Sequence, residues 1–144
     1  MDRKIEHSVL VVDDEELVAK NIERLLGIIK VKFVYASNGK DGLAIIKKAK
    51  KPFSIIISDQ RMPGMRGHEF LGKVKEISPD TLRFLTTGYS DMDAIINAVN
   101  KGAIHRYIAK PWNTKDFLET IKVGLKKYEL VLENEHFLKL AKTL

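Results

Sequence analysis

The sequence contains no cysteine. That absence excludes disulfides, thiol nucleophiles and thiolate metal sites, and it fits a cytoplasmic chain. Long apolar runs are also missing. The runs present, such as Val9 to Val12 and Ile55 to Ile57, are far too short to cross a bilayer, and no charged-apolar-small leader opens the chain, so no membrane association is expected. No internal repeat of solenoid length is present. What the chain has in excess is positive charge, a formal +6. Nucleic acid could take up such charge, but Lys47, Lys48, Lys50 and Lys51 crowd the end of one expected helix, and a solvated helix end accounts for them better. With 144 residues, 44% of them hydrophobic, the chain predicts one domain with a single core plus an appendage.

The hydrophobic pattern alternates between strand and helix five times. "SVLVVDD" (8–14) predicts a strand, followed by a helix over about 15–27 with Leu17, Ile22, Leu25 and Leu26 on one side. "VKFVYAS" (31–37) predicts the second strand, and the helix over 38–50 can turn Leu43, Ile46 and Ala49 inward. "FSIIIS" (53–58) precedes a helix near 66–77, "TLRFLTT" (81–87) a helix over about 91–101, and "IHRYIA" (104–109) a last helix capped by Asn113 or Thr114. This order argues for a parallel sheet covered by helices on both faces. Strands one and three are continuously apolar, whereas strands two and five mix in Lys32 and Arg106, as edge strands do. With right-handed crossovers the strand order is 2-1-3-4-5, a doubly wound, flavodoxin-like α/β fold with its ligand crevice at the carboxyl ends of strands one and three.

Three carboxylates belong to that crevice: Asp13 and Asp14 after strand one, Asp59 after strand three. Asp13-Asp14 alone could be a helix cap stabilised by the helix dipole. Converging with Asp59, the pair makes a set of like charges that raise one another's pKa unless a cation intervenes. Mg²⁺ suits a site with few carboxylates, several waters and a phosphate. Thr87, followed by Gly88, adds a hydroxyl at the end of strand four, and Lys110 adds an ammonium at the end of strand five. Either alone would be an ordinary strand-end residue. Together with the acids they suit phosphoryl transfer, with a carboxylate as nucleophile and a metal and a lysine stabilising the phosphoryl oxygens.

"VVDDE", "SDQRMPGMRG", "TTGYSD" and "YIAKPW", in this order and spacing, resemble the receiver domain of two-component response regulators over about residues 7–125. The resemblance implies that Asp59 accepts a phosphoryl group from the phosphohistidine of a sensor histidine kinase or phosphotransfer protein, or from acetyl phosphate. It implies that Asp14 and Asp59 bind Mg²⁺ directly, Asp13 through water, and that the main-chain carbonyl of Arg61 is a further ligand. Thr87 would hydrogen-bond the phosphoryl oxygen, Lys110 would pair with it, and the Lys110–Pro111 peptide would be cis. Tyr107 would move inward as Thr87 swings toward phosphate, changing the surface around residues 91–118 and so an output domain or partner. The chain departs from the usual Lys-Pro-Phe with Trp112, read as packing at the head of the last helix. Bulky Arg61 and Tyr89 would screen the acyl phosphate from water. The four histidines, His7, His68, His105 and His136, lack ligand spacing and are assigned to surface or strand packing.

Residues 1–125 are thus expected to form the receiver and 126–144 a helical extension or linker. If helical throughout, 114–142 would reach about 43 Å, beyond the sheet. Leu118, Ile121, Leu125, Tyr128 and Leu132 form a 3-4-3-4 seam of about two heptads. The seam leaves two readings open, a helix leading to an output domain that follows and a terminal helix that docks on itself or makes a homodimer. An aspartyl-phosphate hydrolase and a flavodoxin-like interaction module without phosphorylation are the alternative functions. The hydrolase lacks a carboxylic acid two residues after Asp59, where Arg61 stands. No DNA-binding unit fits in the remaining residues, so direct nucleic-acid binding by this chain is not expected.

Overall fold

The computed structural model describes residues 5–88 and 92–143. Its elements run β1 (Ser8–Val12), α1 (Glu16–Ile28), β2 (Lys32–Ala36), α2 (Gly39–Lys48), β3 (Ile55–Asp59), α3 (Gly67–Ile77), β4 (Leu82–Thr87), α4 (Met92–Asn100), β5 (Arg106–Ala109) and α5 (Thr114–Thr143). All strand pairs are parallel, and the sheet order is β2-β1-β3-β4-β5. The period-2 alternation of the strands divides the core in two. Val9, Val11, Ile55, Ile57 and Phe84 face α1 and α5, while Leu10, Val12, Ile56 and Leu85 face the helices on the other side, whose Phe70, Leu71, Val74 and Ile95 are buried there. The mixed strands β2 and β5 are the edges. Lys47, Lys48, Lys50 and Lys51 are all exposed. No described helix is long and apolar enough to cross a membrane.

Two side-chain expectations fail. Leu17 is 81% exposed, because α1 buries Ala19, Ile22, Leu25 and Leu26, and Leu17 lies about 200° round the helix from Ala19. Ala49 caps α2 from outside the helix, in extended backbone, and is exposed. Of the readings left open for the α5 seam, docking on the chain itself describes its first part: Ile121 and Leu125 are buried in the core with Ile55 and Phe84 of the sheet, Leu118 packs against them, and Tyr128 is buried one turn further on. Gly124 permits that docking, since a Cβ there would come within 2.8 Å of Phe84 and 2.9 Å of Ile55. The apolar residues that α5 leaves in solvent lie elsewhere, at Val123, Leu130, Phe137, Leu138 and Leu140.

Candidate functional site

The chain leaves the core abruptly after β1. The Asp13 N–H still bonds the Ala36 carbonyl at 3.2 Å, but the Asp13 carboxylate then accepts the Glu15 N–H at 2.8 Å, turning the backbone toward α1. The Tyr35 hydroxyl donates to the Asp13 carbonyl at 2.7 Å, tying edge strand β2 to this turn. The acid pair therefore sits in a turn beyond the strand, with Asp13 buried and Asp14 exposed. β3 runs one residue further than expected and ends on Asp59 itself, which is also buried.

Carboxylate oxygens of Asp13, Asp14 and Asp59 lie within 4.8 Å of one another. Lys110 Nζ is 3.0 Å from Asp59 Oδ1 and 3.7 Å from Asp13 Oδ2. Its backbone is held by an N–H bond to the Thr87 carbonyl at 2.9 Å, and the Lys110–Pro111 peptide is cis. The Lys110 ammonium thus pairs with two of the three carboxylates. Burial pushes the Asp13 carboxyl up to about 6; the charges of Asp59 and Asp14 add to the rise, and the Glu15 N–H and Lys110 oppose it. Burial works against the charge on Lys110, but its hydrogen bond to Asp59 and the charges of Asp59 and Asp13 outweigh that effect and raise its pKa. Such an excess of hard oxygen donors suits a small divalent cation.

Thr87 is buried, and its hydroxyl is engaged in donating to the Gly88 carbonyl at 2.7 Å. Tyr107 on β5 is 44% exposed. Trp112 packs on Phe117 with ring centroids 4.9 Å apart, at the head of α5. Arg61 is exposed in the loop after β3, and Tyr89 lies outside the described residues.

Three of the four histidines make hydrogen bonds. His7 joins Ser54 at 2.7 Å to Glu129 at 3.2 Å. Despite its Ser-His-Glu composition this group cannot act as a hydrolytic triad, because the Ser54 hydroxyl is buried at the amino end of β3, opposite the acidic edge. It links the strand entries to α5. His105 Nδ1 accepts the Arg83 N–H at 2.9 Å, and burial, then the positive charges of Arg83, Lys127 and Lys75, lower its pKa to about 4. His68 bonds Gln60. His136 is exposed on α5. Sequence reading missed Gln60, whose only signal is an amide directly after the acid at a buried strand end.

An open parallel sheet with helices on both faces and an acid-rich carboxyl edge defines a doubly wound α/β protein of flavodoxin-like fold. The family model described as "Response regulator receiver domain" matches residues 9–122. Over 115 residues the chain is 36% identical to the hydrogenase transcriptional regulatory protein HoxA of Cupriavidus necator, covering 80% of this chain and 23% of that protein. A chain described as adenylate cyclase from Rhodopirellula baltica superposes with a TM-score of 0.88 at 36% identity, covering 94% of this chain and 98% of that one. A response regulator receiver domain protein from Clostridium thermocellum gives 0.80 at 30% identity, covering 87% and 98%. The chain belongs to the response regulator receiver domain family. It spans about a quarter of the length of the curated relatives it matches first.

Proposed function

We propose that the chain is a cytoplasmic, phosphorylation-controlled switch in which Asp59 is the phosphoryl acceptor. The observation that carries this reading is the Lys110 ammonium held 3.0 Å from an oxygen of Asp59 while two further carboxylates converge on the same point. An Asp59 oxygen attacks phosphorus, forming a P–O bond. The bond to the donor breaks, and its electron pair leaves with the imidazole of a histidine kinase or phosphotransfer protein, or with the acetate of acetyl phosphate. Lys110 pairs with the incoming phosphoryl oxygens. Mg²⁺, held by Asp13, Asp14, Asp59 and the Arg61 carbonyl, would supply neutralisation of the charge on carboxylates and phosphoryl oxygens. Thr87 gives up its bond to Gly88 and turns to the phosphoryl group, making room for Tyr107 to move inward. The altered surface around residues 91–118 then engages an output domain or a partner protein.

Incubation with acetyl phosphate and Mg²⁺ followed by intact-mass measurement tests this reading. A transient adduct of about 80 Da is expected. Sustained phosphate release would indicate a hydrolase instead, and an unchanged mass an inert module.

Two further results are expected at this site. Lys110→Ala should bind Mg²⁺ at least as well as the unaltered chain, because a competing cation has been removed, yet lose most of the conformational response to beryllofluoride. An unchanged response by tryptophan fluorescence would remove Lys110 from its role. The second concerns pH. Asp13 has a folded pKa of about 6 against 3.8, so between those values the folded state keeps a proton that the unfolded state has lost. Stability from this group is present below about pH 4 and is lost as pH rises through 6, by roughly 3 kcal/mol. His105 has the opposite sign: its folded pKa of about 4 lies below 6.5, so its contribution is present above pH 6.5 and lost as pH falls through 4, and it is the smaller of the two because His105 is exposed to solvent. Mg²⁺ relieves only the carboxylates, so the gain in melting temperature on adding Mg²⁺ should grow from pH 5 to pH 7. A gain independent of pH would contradict the assignment of Asp13.

A further inference from the structure

Gln60 stands between two of the proposed ligands, Asp59 and Arg61, and every polar group it has is engaged. Its N–H points at the Thr86 carbonyl and at Asp59 Oδ1, each at 3.0 Å. Its carbonyl accepts the Gly67 N–H at 3.0 Å. In the side chain, Oε1 accepts the His68 N–H at 2.9 Å, and Nε2 lies 2.7 Å from His68 Nδ1. An amide NH₂ can only donate, so His68 Nδ1 is the acceptor. Gln60 is 2% exposed. Arg66, the residue before α3, makes no side-chain cap, so Gln60 accepts two of the N–H groups that the first turn of α3 would otherwise leave unpaired.

These bonds close the loop between β3 and α3 at its base. Gly67 is pressed so hard against β3 that a Cβ there would come within 2.1 Å of the Asp59 carbonyl oxygen. The loop leaves β3 through Gln60 and returns to it at Gly67 and His68.

We propose that Gln60, bracketed by His68, is a positioning residue that aims the Asp59 carboxylate and the Arg61 carbonyl at the metal. The inference rests on reading Asp13, Asp14 and Asp59 as a Mg²⁺ site. Partners behind a ligand commonly control metal affinity by 10-fold or more, and about that effect is expected here. The Gln60→Leu substitution keeps the side-chain size and leaves the main-chain bonds available while removing both side-chain bonds. His68→Leu removes the Nδ1 acceptor from a half-buried position and provides the same test should Gln60→Leu fail to fold.

Mg²⁺ titration of the whole chain, followed by tryptophan fluorescence and calorimetry, is the experiment, with urea unfolding in the absence of metal run alongside. Expected is a Kd raised on the order of 10-fold for Gln60→Leu and several-fold for His68→Leu. The double variant should be no weaker than the weaker single one, because both break the same bracket. Any deficit in phosphorylation rate should shrink as Mg²⁺ is raised. A merely structural role would lower urea stability and leave the Kd of the folded protein within twofold of the unaltered chain, and that result overturns the inference, as would full additivity in the double variant. Absence of Mg²⁺ binding by the unaltered chain would instead overturn the reading of the site, and the inference with it.

Discussion

Asp59→Asn is expected to leave no phosphoryl adduct after incubation with acetyl phosphate and Mg²⁺, while the domain remains folded. The amide has the size of the carboxylate, and its oxygen can still accept the Gln60 N–H that Asp59 Oδ1 takes at 3.0 Å. It has no charged oxygen with which to attack phosphorus. The substitution also removes one of three like charges, so the burden on Asp13, whose carboxyl is pushed up by burial and by Asp59, is eased. The metal-free variant should therefore be at least as stable as the unaltered chain, and thermal unfolding will show it. Lys110 retains Asp13 as a partner at 3.7 Å. An undiminished Mg²⁺-dependent adduct in this variant would remove Asp59 as the acceptor.

The largest loss of stability from a single polar side chain is expected at Arg83. This guanidinium is 3% exposed within β4 and donates to four carbonyls: Ala103 at 2.8 Å, Pro79 and Thr81 at 3.0 Å, and Gly102 at 3.1 Å. Burial lowers its pKa, yet it remains charged because arginine does not titrate near neutrality. Its carbonyl partners include the segment just after α4, where the negative end of the helix dipole favours a cation. Lys75 donates to the Lys101 carbonyl at 2.8 Å in the same place. Arg83→Met fills similar volume but abandons all four acceptors, two of them in fully buried bonds. Each buried carbonyl left unpaired costs about 1–3 kcal/mol, so a loss of roughly 3–5 kcal/mol is expected. That is a large share of the 5–15 kcal/mol typical of a domain, and the urea midpoint should fall accordingly. Arg83→Lys keeps the charge without the fork and should fall between the two. A loss below 1 kcal/mol in Arg83→Met would mean that water satisfies the carbonyls.

The strand order was legible because burial writes itself into composition: β1 and β3, covered on both faces, are continuous aliphatic runs, and the edge strands carry Lys32 and Arg106. The placement of Asp13, Asp14, Asp59, Thr87 and Lys110 at one edge followed from that order, since a parallel sheet brings all strand ends to the same side. Side-chain direction was less legible. The 3-4 spacing from Leu118 to Leu132 is common to a helix that pairs with a copy of itself and to one that lies on a sheet, and only the fit of Gly124 against Phe84 and Ile55 separates the two. Thr87 could be placed at the rim, but not the turn of its hydroxyl toward Gly88. Arg83 reads as a break in an apolar strand until the carbonyls around it are seen. Gln60 and His68 are eight residues apart across an irregular loop, where no period links partners.

Locating the phosphoryl group on the unaltered chain tests the central claim most directly. Hydroxylamine converts an acyl phosphate into a hydroxamate, a stable mark on the carbon that carried it, and proteolysis with mass spectrometry then reads the position. The account predicts a hydroxamate at Asp59, formed only when Mg²⁺ and acetyl phosphate are both present. A mark on another residue, or an adduct that hydroxylamine leaves untouched, would contradict it.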